Sequence, residues 1–186
     1  MALKDAGIHP DNIDVWFVSS GTPPLQAPGI SSIIKGYFAN WENQSLTSTI
    51  TSACVGFNIN LQRAMEYIKC NPGTKNVVIA HTDILSSLLT ETTSFVPYTT
   101  FGDGAAAVVL SLVEGSEKEG IISIVNNEDL RMLGNLGANK DGNLYMNPGN
   151  VKNTAIFDIT TSSKQVLDQS GWSVEDIDLF IPHQTG

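Results

Sequence analysis

The sequence predicts an α/β layered fold, and two observations carry that prediction. Short, nearly continuous apolar runs of strand length alternate with longer stretches that repeat apolar residues at helical spacing. One unit of helix end, glycine, acidic turn and apolar run occurs twice, once near each end of the chain.

Taken in order, the first apolar run is D-V-W-F-V-S at 14–19. Runs rich in Val and Ile, bounded by Asp, Asn or Gly, are the pattern of strands covered on both faces. Residues 54–68 form the first long helical stretch, with apolar side chains at Phe57, Leu61, Ala64, Met65 and Ile68. The breaker cluster K-C-N-P-G at 69–73 stops it. Further strands are expected at 76–80 (N-V-V-I-A), 105–110 (A-A-A-V-V-L), 120–125 (G-I-I-S-I-V) and 178–182 (D-L-F-I-P). A second long helix is expected over 153–169, from apolar residues at Ala155, Ile156, Ile159, Val166 and Leu167. The repeated unit joins residues 3–18 to residues 167–182, with Leu, Gly, Ile and Asp at identical offsets. Each copy reads as a helix stopped by glycine, a capped acidic turn and a core strand. The expected organisation is one α/β half over 1–119 and the beginning of a similar half over 120–186.

Composition narrows the function classes. The 186 residues are 41% apolar and 16% charged, the balance of a soluble globular protein. No apolar run reaches the length of a membrane span, and the first residues lack the pattern of a signal peptide, so the expected compartment is the cytoplasm and no membrane partner is expected. A net charge of -9 with basic residues scattered singly argues against nucleic acid. The two cysteines match no zinc spacing and the three histidines form no ligand pair, so no metal site is expected.

Chemistry concentrates on a few residues. Cys54, in T-S-A-C-V-G-F at 51–57, sits between small residues at a helix start. There the open N–H groups and the macrodipole favour a thiolate below the free value of about 8.5, and small neighbours let a carbonyl approach the sulfur. The same setting suits a buried packing cysteine, so the local residues leave both readings open. Cys70, at the other end of that helix, meets the negative end of the dipole and is expected to be structural. His183 and His81 each follow a strand-type run, where ligands of open α/β sheets gather, and spacing does not choose between them. His9 lies in a turn and is assigned neither role. F-G-D-G at 101–104 lacks the spacing and the Lys of a phosphate loop. It is read as a sharp turn at Gly102 and Gly104 before an alanine strand that a helix lies against.

Together, T-S-A-C-V-G-F at 51–57, F-G-D-G-A-A-A-V-V-L at 101–110 and D-I-D-L-F-I-P-H-Q at 176–184 resemble the ketoacyl-acyl-carrier-protein synthase III branch of the thiolase-like superfamily. The likeness extends to D-N-I-D-V-W-F-V at 11–18 and to the loop with Pro23 and Pro28 that leads into a helix. It implies a thiolase-like fold, α-β-α-β-α with two similar halves, and it implies that this chain is truncated at both ends. The first strand would precede Met1, and a third catalytic residue, an asparagine, would follow Gly186. Cys54 would take an acyl group from an acyl-CoA. His183 would assist decarboxylation of a malonyl-acyl-carrier-protein and stabilise the attacking enolate. The backbone N–H of Cys54 would help form an oxyanion hole, Gly102 and Gly104 would shape the floor, and Leu88, Phe95 and Tyr98 would line the acyl tunnel. The reaction would be a decarboxylative Claisen condensation giving a 3-oxoacyl product, with acyl carrier protein and acyl-CoA as partners, no cofactor, and a homodimer as the working form.

The chain departs from the family pattern at Val55, at Thr185 and Gly186, and over 90–100, which holds no basic residue for a CoA adenine. Acyl carrier proteins are acidic like this chain, so docking would call on Lys35, Arg63, Lys152 or Lys164. Two rival readings are acyl transfer to an oxygen or nitrogen nucleophile, and a non-catalytic thiolase-like subunit or fragment that serves as a dimerisation partner.

Overall fold

A computed structural model of the chain describes residues 1–115, 119–139 and 141–183. The chain divides into two units, Met1–Ile84 with Asp103–Gly115, and Leu85–Gly102 with Ser116–Gly186.

The first unit is built around β1 (Val15–Ser19), whose five residues are all buried. It pairs in parallel with β2 (Leu46–Ile50) on one side and β3 (Asn76–Asp83) on the other. The strand β4 (Gly104–Ser111) runs antiparallel to β3, which gives the order β2-β1-β3-β4. Strand side chains alternate between faces, so β1 sends Val15, Phe17 and Ser19 one way and Trp16 and Val18 the other. On the first face Val15, Phe17, Val77 and Ile79 pack against Ala64, Phe57, Leu61, Tyr67 and Ile68 of α3 (Gly56–Cys70). On the second, Trp16 and Val78 meet Leu3 of α1 (Ala2–Ala6) and Ile34 of α2 (Ile30–Phe38). Helix, sheet and helix layers therefore enclose separate apolar clusters on the two faces of the sheet.

Small residues set how close α3 lies. Its buried positions are Gly56, Asn60 and Ala64, spaced four apart and so on one side of the helix. A Cβ at Gly56 would come within 2.5 Å of Ser19 Cβ, a distance that only glycine avoids without movement. Further along, Arg63 stacks over the Phe17 ring at 4.4 Å and donates to Ser48 Oγ and Asn60 Oδ1. Asp14, just before β1, accepts from the backbone N–H groups of Lys75 and Asn76 and so ties the start of β3 to the start of β1.

The second unit contains α4 (Phe95–Thr100), a short antiparallel pair β5 (Leu136–Ala138) and β6 (Leu144–Met146), and the long α5 (Pro148–Ser170). Asn147 caps α5 by accepting from Asn150 N–H, with proline in the first turn.

The repeat is visible in backbone hydrogen bonds. Gly7 and Gly171 both adopt left-handed φ, 66° and 68°, at the ends of α1 and α5. Gly7 N–H donates to Lys4 and Ile8 N–H to Leu3; Gly171 N–H donates to Asp168 and Trp172 N–H to Leu167, at matching positions. Short 3-10 turns then follow at Pro10–Asn12 and Val174–Asp176, capped by His9 and by Ser173.

After the turns the copies part. The run at 178–182 forms no strand, and neither does the run at 120–125. Leu179, Phe180 and Ile181 are exposed, whereas Val15, Trp16 and Phe17 at the corresponding first-copy positions are buried. An apolar run becomes a strand only where neighbours take its N–H and C=O groups, and β1 has two such neighbours. Ser123 and Asn127 donate instead to Gln169 and Gln165 of α5.

This difference has a measurable result. Ile79→Ala, in the core, is expected to cost about 2–5 kcal/mol, while Leu179→Ala should stay within about 0.5 kcal/mol. Urea midpoints at constant slope measure both.

Candidate active site

Three strand ends converge on Cys54. The parallel strands β1, β2 and β3 all finish at the same edge of the sheet, and β2 runs through Thr51 and Ser52 into a 3-10 turn at Ala53–Val55 that opens α3. Ala53 has φ 40°, the left-handed region, at a non-glycine position. Such a residue is held there by its surroundings at a cost of about 1–2 kcal/mol. No side chain caps the start of α3; the preceding 3-10 turn takes the Val55 and Gly56 N–H groups onto the Ser52 and Ala53 carbonyls.

Strand register brings the surrounding groups in. Residues 77, 79, 81 and 83 of β3 share the face that α3 covers, and Ser19 pairs with His81 across β1 and β3. Ser19 Oγ lies 2.8 Å from His81 Nδ1, and His81 Nε2 lies 3.0 Å from Asp83 Oδ2. The other oxygen of Asp83 accepts from Gly21 N–H at 2.6 Å, Thr22 N–H at 3.2 Å and the Ser20 and Thr22 hydroxyls. Asp83 thereby folds residues 20–22 back over the end of the sheet. The Cys54 turn is held on two sides: a Cβ at Gly21 would lie 3.5 Å from Asp83 and 3.9 Å from Ala53 Cα, and one at Gly56 would lie 3.3 Å from His81 Nδ1.

The electrostatics reverse the expectation from the helix start. The Cys54 thiol is pushed up from its ordinary value, first because neighbouring protein removes water, and also by the negative charge of Asp83. A hydrogen bond with its own backbone works the other way and is outweighed. Even so, Cys54 keeps an exposed surface. Cys70, the last residue of α3, is also exposed rather than packed into the fold.

The remaining expected site residues are distributed between the units. Gly104 begins β4 in the first unit, and Leu88, Phe95, Tyr98, Gly102 and His183 belong to the second. Phe95 and Tyr98 are exposed on α4, and His183 is exposed after the 178–182 run. Neither Gly102 nor Gly104 has positive φ, and a Cβ on either would meet no described atom within 4 Å. Ala105, Ala106 and Ala107 are exposed. Of the basic residues considered for docking, Lys35 donates to Asn43 and Ser45 carbonyls and Arg63 is engaged by α3 and β2. Lys152 and Lys164 are exposed on α5. Gln184, Thr185 and Gly186 lie outside the described residues.

Asp83 and residues 20–22 went unnoticed in the sequence. The available signal was the S-S-G-T stretch directly after a buried strand, a composition that calls for a carboxylate to bind its N–H groups. Asp83→Asn removes a negative charge that raises the Cys54 pKa, so the thiol should ionise at lower pH. Iodoacetamide alkylation of Cys54, followed against pH, should show its midpoint moved down; an upward move would contradict the electrostatic assignment.

Comparison with known proteins identifies what the chain is similar to. The sequence profile of the 3-oxoacyl-[acyl-carrier-protein (ACP)] synthase III family matches residues 49–129, the stretch from β2 through Cys54, β3 and β4. Beta-ketoacyl-[acyl-carrier-protein] synthase III of Staphylococcus haemolyticus is 35% identical over 184 residues, 98% of this chain and 57% of that protein. The Listeria monocytogenes protein of the same name is 32% identical over 187 residues, 99% of this chain and 57% of its own length. The crystal structure of 3-oxoacyl-[acyl-carrier-protein] synthase III from Aquifex aeolicus superposes with a TM-score of 0.87 at 24% identity, over 95% of this chain and 56% of that one. The chain thus spans little more than half the length of the relatives it matches, and within that span it is similar to beta-ketoacyl-[acyl-carrier-protein] synthase III and shares its thiolase-like fold.

Proposed function

We propose that Cys54 is the acyl acceptor of a decarboxylative Claisen condensation that builds a 3-oxoacyl thioester for fatty-acid or polyketide-type synthesis. The observation that carries this reading is the placement of an exposed cysteine on a strained turn, at the edge where three parallel strands end, ahead of an uncapped helix. The synthase III similarity supplies the reaction class.

In the first step the Cys54 sulfur attacks the carbonyl of an acyl-CoA. The carbon–sulfur bond to CoA breaks, and the CoA thiolate leaves with the proton that Cys54 gave up. The Cys54 backbone N–H is the group assigned to the negative oxygen of the tetrahedral intermediate. In the second step the malonyl group of a carrier protein loses carbon dioxide, and the electron pair of the broken carbon–carbon bond forms an enolate. That enolate attacks the acyl carbon, and the Cys54 thiolate leaves and is reprotonated. His183 is the group assigned to hold the enolate oxygen. The raised Cys54 pKa fits a thiol that stays protonated until a thioester arrives.

Leu88, Phe95 and Tyr98 are assigned to the acyl chain, and Gly102 and Gly104 to the floor. Lys152 and Lys164 are the exposed basic residues left for an acidic carrier protein. Two chains are proposed to associate through β2, which stands at the edge of its sheet. The proposed setting is the cytoplasm, and no helix among the described residues is long and apolar enough to cross a membrane.

Incubation with a short acyl-CoA should add one acyl mass to the chain, and Cys54→Ala should abolish the adduct. Labelled malonyl-acyl-carrier-protein should then release carbon dioxide. Acylation without that release would redirect the reading to acyl transfer onto an oxygen or nitrogen nucleophile, and absence of the adduct would favour a non-catalytic subunit.

A further inference from the structure

Ser19, His81 and Asp83 stand in a hydrogen-bonded line beside Cys54, with Ser19 Oγ 2.8 Å from His81 Nδ1 and His81 Nε2 3.0 Å from Asp83 Oδ2. The composition is that of a hydrolytic triad, but the geometry is not. Ser19 is fully buried beneath Gly56, so its hydroxyl meets no substrate. Both imidazole nitrogens are occupied, which leaves neither free to take the Cys54 proton.

The protonation pattern follows from the partners. A carboxylate only accepts, so Nε2 carries the hydrogen given to Asp83, while Nδ1 pairs with the Ser19 hydroxyl, which also reaches the Ala80 carbonyl at 3.4 Å. Asp83 is the charged group facing this histidine among the described residues; β1 contributes Ser19, residues 20–22 are uncharged, and the first turn of α3 has no acidic side chain. The ring bridges the two supports of the nucleophile turn. Its Nδ1 side touches Ser19 and lies against Gly56, the floor under α3. Its Nε2 side fixes Asp83, whose other oxygen binds the Gly21–Thr22 backbone lying against Ala53.

We propose that His81 is a positioning residue that aims Cys54 at an incoming thioester by tying Ser19 and Asp83 together, and that it does not act as the base. The proposal rests on Cys54 being the acyl acceptor. Its requirement is a pair of hydrogen bonds rather than a titrating ring, so glutamine, with one donor and one acceptor, should substitute.

The test compares two reactions of Cys54 in the full chain: acylation by acetyl-CoA, which demands an aligned sulfur, and alkylation by iodoacetamide, which does not. His81→Ala should slow acylation by about tenfold or more, the scale of a small misalignment, while alkylation changes far less. His81→Gln should restore acylation to within about threefold, a difference of under about 0.7 kcal/mol, with the acid side of the pH profile unchanged. Ser19→Ala, which removes one end of the bridge with little change of shape, should give an intermediate loss and covers the case in which His81→Ala fails to fold by circular dichroism.

Acylation by His81→Ala at the wild-type rate would overturn the proposal, and so would a His81→Gln variant as slow as alanine with its acid limb lost, the signature of a base. If wild-type Cys54 alkylates but never acylates, the acyl-acceptor reading itself fails and takes this one with it.

Discussion

The pairing register between β1 and β3 is the constraint on which the rest depends. It sets Val15 against Val77 and Phe17 against Ile79 in the core, and by the same two-residue period it sets Ser19 against His81 at the exit. A slip of one residue would turn His81 and Asp83 to the opposite face, away from α3 and from the turn that carries Cys54. The core and the site are thus successive stretches of one ladder: apolar pairs give it strength, and the polar pairs at its end use the position that strength provides.

That arrangement explains why a strained turn persists. Ala53 occupies a left-handed conformation that an unsupported chain would leave. It is met by Gly21 on a loop fixed through Asp83, while Gly56 lets α3 settle directly on Ser19. The same closeness removes water from the thiol and sets it near a carboxylate, and both push the Cys54 thiol up from its ordinary value. Position, more than a depressed pKa, is what this site would supply to the proposed nucleophile.

Much of this was legible in the residues. The strands over 14–19, 76–80 and 105–110 and both long helices form where apolar spacing put them, α5 starting five residues earlier at Pro148, although of these only β1, β3 and α3 bury residues against the core. Gly7 and Gly171 were legible as helix stops, since the left-handed residue after a helix favours glycine for steric reasons alone. The runs at 120–125 and 178–182 have the right composition but no strand partners, and composition cannot supply a partner. The Asp83 cluster was hidden because residues 20–22 and 83 meet only through strand register. The thiol direction was missed because the helix-start argument counts a nearby dipole and omits desolvation and a carboxylate that are distant in sequence. The repeat also pairs Ser19 with His183, one buried in a support and the other exposed at the end of its run, so the same position in two copies carries different chemistry.

Cys54 and Cys70 lie at opposite ends of one helix, both exposed, and only the first has the clamped turn. The direct measurement is peptide mapping by mass spectrometry after brief exposure of the chain to equimolar acetyl-CoA. The account predicts acetyl on the Cys54 peptide with Cys70 unmodified. Equal labelling of both cysteines, or labelling of Cys70 alone, would contradict it.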